Sequence, residues 1–350
     1  MPYIKTLKGK IIDSTVKGIP LGDVTIHKFN KIGGHTIIYK FGKYLIKRNQ
    51  ENKIYDLIDS EYSQLKPFVP QYFGLIQMIV PEADSETMSD KEITPQEHRE
   101  INDDDESLEY LVMEDLTNFY QKPFIIDLKM GTRQYGINSS SEKIKRQQIK
   151  CKKSTSRQLG VRLCGLQLWQ NNSQVILDKY YGRKLNEQQF LNDLFKFLDP
   201  QDSVQQISHK IKVIVKELEK LYEVMENLEN YRLYGCSILI IYEGGLIKEH
   251  ENGQVNGNGN DFDDEKFKKQ KQTVNIDDDN DPFKITIKLI DFSKTLLNYT
   301  SKSSKDYGFL KGLVNVIGMF RSIGEQLDQG IDVNFQYKPL IYEFDDWVSE

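Results

Sequence analysis

No stretch of the 350-residue sequence approaches the roughly eighteen consecutive apolar residues that a membrane-spanning helix requires. The opening residues, MPYIKTLKGKIID, lack the apolar centre of a secretory signal, so the expectation is a protein of the cytosol, the nucleus or both. Cysteine is scarce. Cys151, Cys164 and Cys236 are odd in number and widely spaced, which fits neither a disulfide framework nor a zinc site and points to reduced thiols. Charge of one sign is also missing: 47 Lys and Arg against 52 Asp and Glu give a net charge of -5. That balance argues against bulk binding of nucleic acid, although a total can hide a local patch. There is no internal repeat at a fixed period. Neither the G-x-G-x-x-G loop nor the H-R-D-x-x-x-x-N loop of protein kinases occurs.

What is present suffices for a folded core, since 38% of residues are hydrophobic. Two segments read as insertions, 82–106 and 249–282. Both are poor in bulky apolar residues and can bury too little surface to offset the entropy of ordering. Around them lie short β-branched or aromatic runs at 36–40, 43–47, 72–79, 110–114, 124–129, 237–242 and 285–291, which predict strands. Helical periodicity appears at 50–60, 186–198, 204–229 and 307–323. This mixture predicts an α+β fold in one domain, with a small β-rich N-terminal lobe at about 1–116 and a larger α+β C-terminal lobe at about 117–350.

Five features carry chemistry. Lys47 ends an apolar strand after a glycine-containing turn at Gly33-Gly34-His35, a position from which an ammonium can reach nucleotide phosphates; strands also end in lysine for no such reason. The run Leu111 to Leu116 turns polar at Glu114, and as a link between lobes its backbone could meet an adenine edge. In Pro123-Phe124-Ile125-Ile126-Asp127-Leu128-Lys129-Met130-Gly131, period two sends Asp127 and Lys129 to one face and Leu128 and Met130 to the core. Such a pair can serve a hydroxyl and a phosphate, or form a plain salt bridge. The stretch KIKRQQIKCKKSTSR, from Lys143 to Arg157, holds seven cations and no acid. On a helix Lys143, Arg146, Lys150, Lys153 and Arg157 align in one stripe that calls for an anionic partner, whether nucleic acid, a lipid headgroup or a small polyphosphate. Ser154-Thr155-Ser156 makes the last turn of that stripe a poor helix. Asp291 ends the strand Lys288-Leu289-Ile290-Asp291, where a hard carboxylate suits Mg2+ bound to phosphates. In chain order these parts form a kinase-like layout without protein-kinase signatures.

The residues resemble the inositol polyphosphate kinase family, whose P-x-x-x-D-x-K-x-G hallmark stands here as PFIIDLKMG, and within it the inositol hexakisphosphate kinases. The matching stretches are GGH at Gly33, DLKMGTRQYG at Asp127, KCKKSTS at Lys150, LGVRLCGLQ at Leu159, DKYYGR at Asp178, LYGCSILIIYEG at Leu233, IDF at Ile290 and DYGFLKGL at Asp306. The chain departs from the family pattern at Cys236-Ser237-Ile238-Leu239, where two serines and two leucines are common. It departs again at Glu243, where an aspartate is common, and in the shorter interval from Lys47 to the stretch 51–56.

The resemblance implies a two-lobed fold, like ATP-grasp enzymes or protein kinases, that transfers phosphate from ATP to an inositol phosphate. By position, Lys47 would hold ATP phosphates, Glu114 and Leu116 would offer backbone to adenine, and Asp291 would ligate Mg2+. Asp127 would contact the ribose or order the reacting end, and Lys129 would bridge substrate and transferred phosphate. Lys143, Arg146, Lys150 and Lys153 would pair with a highly phosphorylated inositol. The expected product is a diphosphoinositol polyphosphate made from inositol hexakisphosphate. A multikinase or trisphosphate kinase, and a silent inositol-phosphate sensor, are the alternatives. A minimal, monomeric catalytic unit with no specific nucleic-acid partner is expected.

Overall fold

The computed structural model describes residues 6–29, 31–32, 36–80, 106–244, 282–297, 305–331 and 334–340. Its N-terminal lobe is a closed barrel of β1 (Thr6–Ser14), β2 (Gly22–Lys28), β3 (Ile38–Phe41), β4 (Tyr44–Arg48), β5 (Tyr72–Ile79) and β6 (Leu108–Glu114). The strands pair in the order β1-β2-β3-β4-β6-β5, and β5 returns to β1. Alternation produces the closure. In β1, Leu7, Gly9 and Ile11 turn inward between the exposed Thr6 and Lys8 and the half-buried Lys10. Val24, Ile26, Tyr39, Ile46, Ile76, Met78, Tyr110 and Val112 fill the remainder of the barrel.

Beside the barrel, α1 (Asn52–Ser60) and a 3-10 turn (Ser63–Phe68) join the lobes. Tyr55 of α1 stacks on Tyr72 at 5.2 Å and meets Phe292 edge-on at 5.6 Å. The chain then crosses between the lobes after β6. Asp115, buried there, accepts from Lys40 Nζ at 2.7 Å through one oxygen and from the backbone N–H and hydroxyl of Thr117 at 2.9 and 2.6 Å through the other. At the far end of the crossing, the Glu243 carboxylate accepts the N–H groups of Gln121 and Lys122 at 2.8 and 2.7 Å. The glutamate that departs from the family pattern is thus a brace for the hinge.

The C-terminal lobe is built on a five-stranded antiparallel sheet of β7 (Pro123–Met130), β8 (Val161–Gln170), β9 (Ser173–Leu177), β10 (Ser237–Glu243) and β11 (Thr286–Ile290), in the order β11-β10-β7-β8-β9. One face is covered by α5 (Glu187–Phe197), α6 (Val204–Asn227) and α7 (Tyr307–Asp328). Ile126, Leu128 and Met130 of β7 are fully buried there with Phe190, Leu194, Ile214, Leu218, Leu313 and Phe320. Each such side chain contributes roughly 1.5–3 kcal/mol of burial. Capping boxes at Asn186/Gln189 and Ser203/Gln206 start α5 and α6. At the N-terminus of α7, the Asp306 carboxylate accepts from Phe309 N at 3.0 Å and from Leu233 N at 2.8 Å. Helix α7 crosses the root of β8 so closely that a Cβ on Gly312 would lie 2.2 Å from Gly160 O. The other face of the sheet looks into the cleft beneath the barrel. Ile32, Ile125 and Ile241 form a small apolar cluster there with Leu116, Tyr120 and Leu239.

The α+β architecture with a small β-rich first lobe is as the sequence predicts. Several expectations need correction. The strand predicted at 36–40 begins at Ile38, and β1, β2, β8 and β9 were not anticipated. The basic stretch is not one helix to Arg157: α2 (Ser141–Lys152) ends with Lys153 as its C-cap, and α3 (Ser156–Leu159) is a separate turn. Thr155 explains the break, because its hydroxyl donates to Val161 O at 2.7 Å. Asp291 stands one residue past β11 rather than in it. The turn at 33–35 lies outside the described residues, as do the segments 82–106 and 249–282 except for Glu106 and Pro282. No helix among the described residues is long and apolar enough to cross a membrane.

Candidate functional site

Strand register brings the chemistry into one row on the cleft face. Lys129 of β7 is opposite Ser237 of β10 on one side and Arg162 of β8 on the other, and Ser237 is opposite Ile290, the residue before Asp291. One step along, Asp127 is opposite Leu239 and Gly165. Asp127 and Lys129 therefore share a face, as period two demands, while Leu128 and Met130 point into the core.

Asp127 is 4% exposed, and its Oδ1 has no hydrogen-bond partner among the described residues. Burial, helped by the charge of Asp291, pushes its carboxyl up to about 6 against the opposing pull of Lys129, the Ser237 hydroxyl and Arg162. Lys129 donates to Gly235 O at 2.9 Å. An acid raised in this way binds more protons folded than unfolded between about pH 4 and 6, so its contribution to stability falls as pH rises through that window and stays unfavourable above it. Asp127→Asn should therefore stabilise the ligand-free protein at pH 8 by about 1–3 kcal/mol and much less at pH 4.5. Melting curves at the two pH values check this; an equal or opposite change at both would contradict it.

At the other end of the row, Lys47 Nζ lies 2.8 Å from Asp291 Oδ1 and 2.8 Å from Glu51 Oε1. Lys47 sits near the end of β4, and Glu51 precedes α1 four residues later, so the short interval between strand and helix is what lets the two meet. Burial disfavours the Lys47 charge, but the two carboxylates raise its pKa well above the ordinary lysine value. Asp291 shows the converse: burial would raise it, yet Lys47, Lys129 and Lys31 hold it down to about 2. Its backbone is left-handed, with φ at 68°, a costly conformation for a residue with a side chain.

Beyond Lys129 the cleft becomes strongly basic. Lys150 of α2 is lowered by burial and by the nearby charges of Arg183, Arg162, Arg146 and Lys179. Lys294 falls to about 8 through burial and the proximity of Lys129 and Lys143. Lys31, which donates to Thr36 O, also falls to about 8 through burial and the charges of Lys47 and Lys179, despite Asp291 and Asp127. Of the four stripe residues expected to meet substrate, the structure brings Lys143, Arg146 and Lys150 into this basin; Lys153 is solvent-exposed at the C-cap.

The link after β6 carries the remaining candidates. Glu114 N donates to Gln71 O at 2.9 Å, so an adenine contact at Glu114 falls to its carbonyl. Leu116 packs in the small apolar cluster with Ile32 and Ile125, which forms a greasy wall beside its backbone. No cluster of three or more His, Cys, Asp or Glu residues occurs among the described residues. A single ionised carboxylate, Asp291, suits Mg2+, which is commonly held by one or two carboxylates together with nucleotide phosphates.

Sequence reasoning missed Glu51, Lys31, Arg162, Lys179, Arg183 and Lys294. The four-residue spacing of Lys47 and Glu51 and the charged ends of Lys179-Tyr180-Tyr181-Gly182-Arg183 were the available signals.

Residues 110–321 match the family profile described as inositol polyphosphate kinase. Over 229 residues the chain is 35% identical to inositol hexakisphosphate kinase 3 of Mus musculus, a match covering 63% of this chain and 52% of the mouse protein. Over 150 residues it is 40% identical to inositol hexakisphosphate kinase 1 of Saccharomyces cerevisiae, covering 43% of this chain and 14% of the yeast protein. The matches thus span about half the length of the mouse relative and far less of the yeast one. Among solved structures, the inositol phosphate multikinase of Saccharomyces cerevisiae in complex with ADP and Mn2+ superposes with a TM-score of 0.56 at 22% identity, covering 80% of this chain and 98% of that one. That likeness establishes the kinase fold.

Proposed function

The chain belongs to the inositol polyphosphate kinase family, and on that premise we propose that it transfers the γ-phosphoryl group of ATP to a phosphate of inositol hexakisphosphate, giving a diphosphoinositol polyphosphate and ADP. The single observation that carries the reading is the row across the cleft face. A nucleotide-type lysine and carboxylate, Lys47 and Asp291, stand at one end, Lys129 in the middle, and a basin of cations at the other.

The acceptor is a phosphate oxygen, already anionic, so no strong base is required. Its oxygen bonds to the γ-phosphorus as the bond from that phosphorus to the bridging oxygen of ADP breaks. Positioning and neutralisation of charge then supply most of the rate. Lys47 and Lys129 supply cations on either side of the transferred group, and Lys129 bridges it to the acceptor. Glu114 through its carbonyl and Leu116 through its amide would hold adenine. Asp127 would meet the ribose or fix Lys129. Mg2+, held by Asp291 and the nucleotide phosphates, would neutralise charge on those phosphates. Lys143, Arg146 and Lys150 would receive the phosphates of the inositol ring, and the exposed Lys153 takes no part.

Substitution of a ring-binding cation should weaken the ground state more than the chemistry. Lys150→Ala should raise KM for inositol hexakisphosphate about tenfold and leave kcat within about twofold. Initial rates over a range of inositol phosphate concentrations, run in parallel with a trisphosphate, test both this effect and the substrate. Turnover of the trisphosphate with none of the hexakisphosphate would move the chain to a multikinase role.

A further inference from the structure

Three cations meet on the acceptor side of the site in an arrangement that a folded chain would avoid without an anionic ligand. Arg162 is directly opposite Lys129 in the β7/β8 register, so two positive side chains leave the same face of the sheet side by side. Like charges so placed repel. Arg162 is 5% exposed, and its side-chain hydrogen bond is a long one of 3.5 Å to Ser156 Oγ.

The third cation is supplied by a short helix. In α4 (Lys179–Gly182), Asp178 caps the start by accepting from Tyr180 N and Tyr181 N at 2.9 and 3.0 Å, which commits that carboxylate to the helix itself. Gly182 then presses onto β8: a Cβ there would lie 2.1 Å from Leu163 O, so any side chain would lift the helix from the strand. This contact fixes the next residue, Arg183, beside β8, near enough that its charge is among the influences that lower both Arg162 and Lys150. Arg183 flanks the Tyr180 ring at 5.2 Å, and its buried Nε has no hydrogen-bond partner among the described residues. Asp127 is the carboxylate among the groups that favour the Arg162 charge, where it ranks behind the thiols Cys164 and Cys151, and its own carboxyl is raised by burial.

We propose that Arg162 and Arg183 form a paired guanidinium clamp for the ring phosphates beside the acceptor phosphate held at Lys129, and that this clamp selects inositols by their number of phosphates. The inference rests on the function proposed above. Guanidinium forks suit phosphate because each can donate two parallel hydrogen bonds. A ring with a phosphate on every carbon can engage Lys129, the clamp and the α2 lysines together. A trisphosphate held at Lys129 has too few phosphates to satisfy all three.

Direct binding of inositol hexakisphosphate and of a trisphosphate to the full chain, without ATP, tests the clamp in Arg183→Ala, Arg183→Lys and Arg162→Lys. Arg183→Ala should weaken hexakisphosphate binding by about 10-fold or more and trisphosphate binding by less than about threefold, with KM for ATP unchanged. Arg183→Lys should recover part of the loss. The melting temperature of ligand-free Arg183→Ala should match or exceed that of the wild type, because a repulsion is removed; a merely structural arginine would lower it. Unchanged hexakisphosphate affinity in folded Arg183→Ala and Arg162→Lys, or equal losses for both ligands, would overturn the clamp alone. Failure of the wild type to bind either ligand would overturn the proposed function with it.

Discussion

Asp291→Asn should lower kcat by about 1,000-fold or more while the protein stays folded. Asparagine is the informative replacement. It keeps the size of the side chain and tolerates the left-handed backbone, with φ at 68°, better than alanine would. What it removes is a negative charge that Lys47 and its neighbours hold ionised down to about pH 2. Because that folded value lies below the ordinary one, stability from the pairing is present above about pH 4 and is lost only as pH falls through about 2. At neutral pH the variant should therefore melt modestly lower, with Lys47 still bound to Glu51. Initial rates with Mg-ATP, set beside a melting curve, separate lost chemistry from lost fold. Near-normal turnover would remove Asp291 from the metal site.

Lys129→Ala should cost about 100-fold or more in kcat, with a much smaller effect on the affinity for ATP. The lysine lies in mid-row, between Ser237 and Arg162, and among the described residues its ammonium donates to one backbone carbonyl, Gly235 O at 2.9 Å, with the charges of Asp127 and Asp291 nearby. A tether that light can be exchanged for contact with a phosphate as charge moves from nucleotide to acceptor. If kcat were retained and KM for ATP rose instead, Lys129 would be a nucleotide anchor and the order of the row would have to be reversed.

Much of this site was legible because strand geometry is local. Period two alone placed Asp127 and Lys129 together and sent Leu128 and Met130 inward, and the apolar run before Asp291 announced the strand that delivers it. The first two strands escaped notice because a barrel wall half exposed to water alternates Lys8 and Lys10 with Leu7 and Ile11, and no apolar run results. The eighth strand escaped for a different reason: Val161 and Leu163 alternate with Arg162, Leu166 and Leu168 with Gln167, but the register shifts at Cys164-Gly165 and breaks the period between the two halves. The basic basin was legible only on its α2 side. Arg162, Arg183, Lys31 and Lys294 are far apart in sequence, and the pressing of α4 onto β8, the return of the chain after β11 and the connection from β2 to β3 collect them. Glu51 has a similar history, since a carboxylate four residues after a strand lysine acquires meaning once α1 is known to start there.

The most direct test is to incubate the full chain with Mg-ATP and inositol hexakisphosphate and to resolve the products by charge. A species more anionic than the substrate should form in step with ADP and be absent with Asp291→Asn. No such species, with the wild-type chain folded and supplied with both substrates, would contradict the proposed transfer.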